Sequence, residues 1–366
     1  MDLTGRLDRA RTATAAAGLD ALLITPGADL RYLTGYPAPA LERLTCLVLP
    51  ADGEPVLVVP ALERLAALAS PVGDLGLDVL TWQETDDPYG LVAGLLGDGA
   101  RRVGIDDAML AAAVLTFRDV LPAAEQVLAG LVLRPLRVRK GPDEVAALRR
   151  AGEAIDRVHA RMGEWLRPGR TEHEVGADIA RAILAEGHET AEFVIVGSGP
   201  NGASPHHELS DRVIEPGDPV VVDIGGTTAD GYCSDSTRTY VAGGRPDPRF
   251  TDYYAVLLAA QEAGVAAVAP GVTAESVDAV TRAVIADAGW GEAFVHRTGH
   301  GIGLATHEDP YLVAGSTVAL EPGMAFSVEP GIYLPGEHGA RIEDIVVVTD
   351  DGVERLNRRP RELAVL

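Results

Sequence analysis

The sequence predicts a mixed α/β protein with two domains, the second of which is built from two related halves. The length of 366 residues exceeds the size at which a single hydrophobic core keeps growing. Segments with helical spacing alternate with short apolar runs that are typical of strands. In the C-terminal part, one pattern of proline, glycine and apolar residues occurs twice. These three observations together favour two α/β domains over a single one.

The composition indicates a globular protein with an acidic surface. Hydrophobic residues make up 47% of the chain, charged residues make up 23%, and the formal net charge is −23 at pH 7. Such a composition argues against extensive disorder, and the negative charge repels nucleic acids and anionic membranes. No run approaches the roughly 18 apolar residues of a membrane span. We therefore expect neither a nucleic acid nor a membrane as a partner.

Cysteine usage and the first residues bear on the expected location. Cys46 and Cys233 are the two cysteines of the chain, and they do not indicate a disulfide framework. Residues 1–22 mix acidic and basic side chains with alanines, and they lack the continuous apolar segment of a signal peptide. We therefore expect a cytoplasmic protein.

Residues 1–136 are predicted to form a smaller α/β domain. Their polar residues are scattered singly, so we find no catalytic constellation there. The predicted elements are helices at 3–17, 61–69 and 107–120, strands at 21–24 and 103–105, and a hairpin of 44–49 with 55–59 around the turn Ala51 to Gly53. The segment Pro135 to Asp143 is predicted to be a connector, which divides the chain into domains 1–136 and 137–366.

The second domain is predicted to begin with a long amphipathic helix. Apolar residues from Val145 to Leu166 recur every three or four positions, and Pro168 with Gly169 ends the helix. Thr171 and Glu174 have the spacing of a capping box, which predicts a second helix up to about residue 186. Strands are expected after this helix pair at 192–196 and 220–224.

The pattern recurs about 100 residues later. Pro168, Gly169, Thr171, Val175, Ile183 and Gly187 match, in order, Pro270, Gly271, Thr273, Val277, Ile285 and Gly289. One interpretation is that two ordinary helix pairs share the same end signals. The other is that two related α/β halves face each other across a pseudo-twofold axis, with a site where their sheets meet. Strands expected in the second half lie at 318–320, 325–328 and 342–348.

The stretch from His296 to Glu308 contains three of the nine histidines, His296, His300 and His307, with glycines between them. A glycine beside a histidine lets backbone or a ligand come close to the imidazole. By itself the stretch is equally compatible with a glycine-rich loop that carries polar histidines.

Two aspartates lie near each other in sequence around a predicted turn. Asp223 interrupts the apolar strand 220–224, where an unpaired buried charge would cost several kcal/mol. A turn at Thr228 to Gly231 would return the chain, so that Asp235 becomes a cross-strand neighbour of Asp223. The alternative is that Asp223 pairs with Arg238 while Asp235 is exposed.

Two glutamates also lie at strand ends. Glu329 follows one apolar strand and Glu343 precedes another. At an effective dielectric constant near 20, two carboxylates about 4 Å apart repel by roughly 4 kcal/mol, so four clustered acids require cations. Two divalent metal ions would neutralise the four carboxylates. The acids and His300 therefore suggest a metal site.

These residues resemble a known ligand set. The four acids and His300 are similar, in order and nearly in spacing, to the five metal ligands of the pita-bread metallopeptidases. Within this family, the chain resembles the branch of Xaa-Pro aminopeptidases and Xaa-Pro dipeptidases (prolidases). The matching residues are Asp223, Asp235, His300, Glu329 and Glu343. Residues 1–136, with Leu30 to Tyr36, resemble the N-terminal domain of creatinase and prolidase. The resemblance implies a pita-bread fold with two pseudo-symmetric α/β halves, preceded by a smaller creatinase-like α/β domain.

The resemblance also implies residue roles. Asp223 would hold one ion, His300 and Glu329 the other, and Asp235 and Glu343 would bridge both. Glu329 would also be a catalytic proton acceptor. His206, His296 and His307 would contact substrate, with His206, His307 and Arg341 taking part in catalysis. His207 leaves the assignment of His206 ambiguous by one place. The gap between the two aspartates is one residue longer than usual, which puts Ser234 where the second aspartate is expected.

The implied activity is hydrolysis of the peptide bond before proline by a metal-activated hydroxide. Oxygen ligands with one imidazole suit Mn²⁺, our first choice, or Co²⁺, Zn²⁺ or Fe²⁺. The resemblance implies a proline-containing peptide as substrate and a homodimer. Two alternatives remain open: a metal-free hydrolase of another small C–N bond, as creatinase is, and a non-catalytic peptide-binding domain.

Overall fold

The computed structural model describes residues 1–97 and 99–366. The chain divides into two compact units, Met1–Arg137 and Val138–Leu366. Among the described residues, no helix is both long enough and apolar enough to cross a membrane.

The N-terminal unit is a mixed sheet with helices. Within its described residues, six strands are arranged in the order β4-β3-β2-β1-β5-β6, with β2 antiparallel to β1 and β3 and the remaining neighbours parallel. The strands are β1 Ala21–Ile24, β2 Cys46–Pro50, β3 Val56–Pro60, β4 Asp78–Trp82, β5 Arg102–Ile105 and β6 Glu125–Leu128. The helices are α1 Leu3–Ala16, α2 Ala28–Thr34, α3 Arg64–Ala69, α4 Pro88–Leu96, α5 Ala111–Val120 and α6 Gly130–Val138.

The expected connector at Pro135 to Asp143 is wrong in its first part. Helix α6 continues through Pro135 to Val138. A proline inside a helix removes one hydrogen bond, but Val132 and Leu133 are fully buried on this helix, and their packing outweighs the local preference. The predicted helix at 107–120 likewise begins later, at Ala111.

The C-terminal unit contains two helix pairs, each followed by strands. The helices are α7 Pro142–Ala160, α8 Glu172–Ala185, α9 Pro248–Ala266 and α10 Ala274–Asp287. The capping box predicted at Thr171 and Glu174 is confirmed, because each residue's side chain accepts a hydrogen bond from the other's backbone N–H. The strands are β7 His188–Ser198, β8 Asp218–Thr228, β9 Cys233–Ala242, β10 Gly299–Gly301, β11 Glu308–Leu312, β12 Ala325–Val328, β13 Gly331–Leu334, β14 His338–Arg341, β15 Asp344–Val348, β16 Val353–Arg355 and β17 Ala364–Val365.

These strands form three sheets over the fully described residues 138–366. One has the order β17-β9-β8-β7, a second has the order β11-β10-β12-β15-β16, and β13 pairs with β14. The strand expected at 318–320 does not form. Ala319 instead makes a single bridge with Thr273.

The internal repeat is visible in the backbone. Thr171 bridges Val213 in the first half, and Thr273 bridges Ala319 in the second. Gly169 and Gly271 lie in the connection between the two helices of each pair, and their φ angles are 89° and 84°. Positive φ strongly favours glycine, so both copies require glycine at this place for the same reason. The two halves therefore share a local structure as well as end signals.

Alternation along β8 explains how an apolar strand accommodates an aspartate. Val220, Val222 and Ile224 belong to a buried cluster that also contains residues of α7 and α8. Asp223 lies between them in sequence, and side chains of a strand alternate between the two faces of the sheet. The helices therefore cover one face, and the aspartate emerges on the other.

Arg238 on β9 is buried and links the four-stranded sheet to the five-stranded sheet. Its guanidinium lies 2.7 Å from Asp344 Oδ1, and it donates to the main-chain carbonyls of Thr237, Glu343, Arg359 and Pro360. The alternative pairing of Arg238 with Asp223 is therefore wrong. Asp344 begins β15 in the second half, so this ion pair joins β9 to β15.

We predict that Arg238→Met lowers the free energy of unfolding by about 3–5 kcal/mol, because it leaves four main-chain carbonyls without their donor and removes one of three arginines that compensate buried Asp344. The exposed pair of Arg150 with Asp230 provides a matched control, and Arg150→Met should cost less than about 1 kcal/mol. Urea denaturation of both variants measures the difference. Equal losses would contradict the structural role of Arg238.

Candidate metal centre

A cavity of about 870 Å³ opens in the C-terminal unit. Every site residue predicted from the sequence lines it. Asp223 and Asp235 come from the first half, and His300, Glu329 and Glu343 come from the second. The other lining residues are Phe193, Ile195, Ser204, Pro205, His206, His296, Arg297, His307 and Arg341.

The register of β8 and β9 places both aspartates on one face. Asp223 is opposite Thr237, and Asp235 is opposite Gly225. The aspartates are therefore diagonal neighbours across the two strands, two residues out of register, so the expectation of cross-strand neighbours is confirmed in this diagonal form. Diagonal neighbours on one face remain within reach of a common ligand.

Ser234 occupies the position where the second aspartate was expected, but its side chain lies on the opposite face. Its hydroxyl accepts a hydrogen bond from Gly226 N at 3.1 Å and lies 2.8 Å from His188 Nε2. Asp235, one residue later, is the acid that lines the cavity. The longer spacing in sequence is therefore compatible with an aspartate in the cavity.

His300 lies at the centre of the short strand β10. Added Cβ atoms at Gly299 and Gly301 would lie 1.8 Å from Ser327 O and 2.1 Å from Asp309 O. The flanking glycines are therefore required because neighbouring backbone packs against β10 on both sides. They let the strand hold the imidazole at a fixed depth.

The neighbours of His300 define its protonation. Burial, aided by nearby His307, lowers the pKa of His300 to about 3, so the imidazole is neutral. Nδ1 lies 3.1 Å from Gly301 O, and the proton assigned there leaves the Nε2 lone pair exposed. Nε2 faces Glu329 Oε1 at 3.3 Å and Asp235 Oδ2 at 3.7 Å. A lone pair thus points at carboxylate oxygens.

Burial dominates the electrostatics of the acids. It raises the pKa of Asp235 and Glu343 well above the usual range, with further increases from Glu343 and Glu329 respectively. Burial likewise raises the pKa of Glu329 to about 7, although Arg341 opposes the shift. Without additional positive charge, these carboxyl groups would bind protons at neutral pH.

The donor set fits divalent cations. Ligand atoms of Asp235, His300 and Glu343 all lie within 4.8 Å of one another. Among the described residues, nothing hydrogen-bonds to the buried oxygens Asp223 Oδ1 and Glu343 Oε1. Unpartnered oxygens and an outward imidazole lone pair are what hard or borderline metal ions bind. A site for cations would account for both the raised pKa values and the unpartnered oxygens.

Arg341 supports the centre from one side. Its Nη2 lies 2.6 Å from Asp223 Oδ2, and its Nη1 donates to Tyr333 Oη at 2.7 Å. Tyr333 Oη in turn lies 2.9 Å from His296 Nε2. Burial, followed by the charge of Arg341, lowers the pKa of His296 to about 4, so this histidine is neutral. Sequence reasoning missed Tyr333, because nothing in its local pattern distinguishes it from a core tyrosine.

A buried carboxylate, Glu172, organises the loop that carries His206. It accepts hydrogen bonds from Ser198, Asn201 and Ser210, and His207 Nε2 lies 2.7 Å away. Burial raises the pKa of Glu172, but its hydrogen bonds, foremost those from the Ser198 and Ser210 side chains, lower it below the usual value. Glu172 is therefore ionised. Sequence reasoning missed its role because its partners are distant along the chain.

This network separates the two adjacent histidines. His207 points to Glu172, whereas His206 lines the cavity. The ambiguity by one place is thereby resolved in geometric terms: His206 is the histidine that can meet a ligand in the cavity.

Two related α/β halves with four carboxylates and a histidine at their junction define the pita-bread class of metallopeptidase. Residues 146–350 match the model of Metallopeptidase family M24, and residues 6–139 match the Creatinase/Prolidase N-terminal domain. The chain belongs to metallopeptidase family M24.

Known relatives extend over nearly the whole chain. It is 57% identical over 361 residues to the probable dipeptidase PepE of Mycobacterium tuberculosis, covering 99% of this chain and 96% of that one. It is 36% identical over 370 residues to the Xaa-Pro dipeptidase of Lactobacillus delbrueckii subsp. lactis, covering 98% of each. The crystal structure of prolidase from Thermococcus sibiricus is similar with a TM-score of 0.94 and 37% identity over 100% of both chains. The predicted fold class is confirmed.

We predict that His206→Gln lowers kcat by about 100-fold and leaves the midpoint of thermal unfolding unchanged. The change removes an imidazole that can donate a hydrogen bond to a substrate in the cavity. His207→Gln should do the reverse. It weakens the contact to buried Glu172, lowers stability by about 1–3 kcal/mol and retains most activity. Steady-state kinetics and thermal denaturation of both variants test this assignment, and the opposite pattern would assign the substrate role to His207.

Proposed function

We propose that this protein hydrolyses the peptide bond before proline in short Xaa-Pro peptides, with two divalent metal ions as cofactors. The observation that carries the proposal is the buried set of four carboxylates and one neutral imidazole in a cavity of peptide size. Family membership and the prolidase relatives support the same activity.

Five residues would hold the ions. We propose that Asp223 binds one ion, that His300 and Glu329 bind the other, and that Asp235 and Glu343 bind both. Ions bound there would lower the pKa of a water and polarise the scissile carbonyl. Arg341 fixes Asp223 Oδ2, and Thr237 Oγ1 fixes Glu343 Oε2 at 2.8 Å. Each of these carboxylates thus keeps its other oxygen for a ligand.

Proton handling falls to groups beside the cluster. Ser327 Oγ donates to Glu329 Oε1 at 3.1 Å, which orients Glu329 to accept the proton of the attacking water. The ring of His307 lies 4.2 Å from that of His300, and burial lowers its pKa. A neutral His307 can donate its N–H to the carbonyl oxygen as negative charge develops there. His206 and His296 would orient the substrate backbone.

The finer assignments rest on chemistry and on the family resemblance. A donor set of oxygens with one nitrogen suits Mn²⁺, with Co²⁺, Zn²⁺ and Fe²⁺ as substitutes. A homodimer is part of the proposal by the same resemblance. A cytoplasmic location is proposed because the two cysteines do not indicate a disulfide framework. A metal-free hydrolase and a non-catalytic binding domain are less well supported, because both are expected to have lost ligands and every expected ligand is present in the cavity.

We predict that the chelated protein is inactive and that Mn²⁺ restores cleavage of Xaa-Pro dipeptides. The assay compares Ala-Pro with Ala-Ala under Mn²⁺, Co²⁺ and Zn²⁺, and proline should raise kcat/KM by at least about tenfold. Cleavage that survives chelation would favour the metal-free hydrolase. Metal-dependent cleavage of Ala-Ala and Ala-Pro with equal kcat/KM would point to a dipeptidase without proline preference.

A further inference from the structure

Arg297 also lines the cavity, and it is neither a proposed metal ligand nor a proposed proton-handling group. Among the residues that the structure describes, none makes a hydrogen bond or an ion pair with its guanidinium. The guanidinium stacks on the ring of Tyr311, with Cζ 4.5 Å from the ring centroid. The cavity's other guanidinium, Arg341, is by contrast buried and saturated by Asp223, Tyr333 and Thr237. Arg297 is therefore the cavity cation that can receive a ligand.

The position of Tyr311 fixes where this guanidinium lies. Tyr311 is directly opposite His300 in the antiparallel pair of β10 and β11. Side chains of directly opposed residues emerge on the same face of a sheet, with Cβ atoms about 4.5–5.5 Å apart. Because Arg297 stacks on the Tyr311 ring, its charge lies on the face that carries His300.

The charge balance of the cavity calls for an anion at this point. Two divalent ions would neutralise the four carboxylates, and these include Asp223, the partner of Arg341. Arg341 and Arg297 would then leave the cavity with an excess of positive charge, and of these two arginines it is Arg297 that makes no ion pair with a described residue. When one face of a planar guanidinium stacks on a ring, its N–H groups still point outward in the plane of the group. This arrangement suits bidentate binding of a carboxylate.

We propose that Arg297 binds the C-terminal carboxylate of a dipeptide substrate and thereby makes the enzyme selective for dipeptides. The inference rests on the proposed peptidase function. In a dipeptide, three bonds separate the scissile carbonyl carbon from the carboxylate carbon, a distance of no more than about 4 Å. Each additional residue moves the carboxylate away by up to about 3.5 Å. A fixed cation beside the reaction centre therefore favours the shortest substrate.

The test compares Ala-Pro, its C-terminal amide Ala-Pro-NH₂ and the tripeptide Ala-Pro-Ala with the Mn²⁺-loaded protein. The wild type should cleave the free acid with a kcat/KM about 10- to 100-fold above that of the amide, since a hydrogen-bonded ion pair is lost in the amide. Arg297→Met should lower kcat/KM for Ala-Pro by a similar factor and change the amide by less than about twofold. The acid-to-amide ratio then falls to near one.

Two further variants make the comparison specific. Arg297→Lys keeps the charge without the planar fork, so it should retain an intermediate ratio. Arg245→Met removes an exposed arginine of the same unit and should leave the ratio at its wild-type value. A ratio that stays high in Arg297→Met, or a loss that is equal for acid and amide, would overturn the assignment.

The wild-type data alone distinguish failure of the proposed peptidase function from failure of the role proposed for Arg297. If no Xaa-Pro substrate is cleaved under any metal, the proposed function fails. If Ala-Pro and Ala-Pro-NH₂ are cleaved equally well, the function stands and the role of Arg297 is wrong. This comparison needs no variant, so it does not depend on the folding of Arg297→Met.

Discussion

The enclosure of four carboxylates in one cavity is the constraint on which the rest of this structure depends. Burial alone raises the pKa of Asp235, Glu343 and Glu329, and their mutual proximity adds to the effect. The fold nevertheless brings them together. The pairing of β8 with β9 places Asp235 on the cavity face, and Glu329 and Glu343 lie at strand ends that line the same cavity. Arg238 reinforces this arrangement by joining the strand of Asp235 to the strand after Glu343. Cations bound in the cavity would offset this electrostatic cost, and the offset would contribute to their binding free energy.

Much of this could be predicted from the sequence. Helix pairs with end signals at Gly169 and Gly271 predicted two related halves, and the shared bridges of Thr171 and Thr273 bear this out. An acid within or beside an apolar strand is conspicuous, since such a charge requires compensation. For that reason the sequence alone singles out Asp223, Glu329 and Glu343, and the three acids do lie in one cavity.

Other features depend on register and distant contacts, which a local pattern does not contain. The offset of Asp223 from Asp235 follows from the pairing of β8 with β9, and the single bridge at Ala319 replaces a predicted strand. Helix α6 continues through Pro135 because tertiary packing outweighs local preference. Glu172 and Arg297 have ordinary sequence surroundings. Their importance comes from partners that only folding brings close.

The most direct test of the central claim is a count of the metal ions bound per chain. Inductively coupled plasma mass spectrometry after Mn²⁺ reconstitution and desalting measures this count, with Asp235→Asn as the matched variant. We expect about two ions per wild-type chain and a clear loss in the variant, because the cluster requires roughly four positive charges. A wild-type protein that binds no metal while it remains folded would contradict the account.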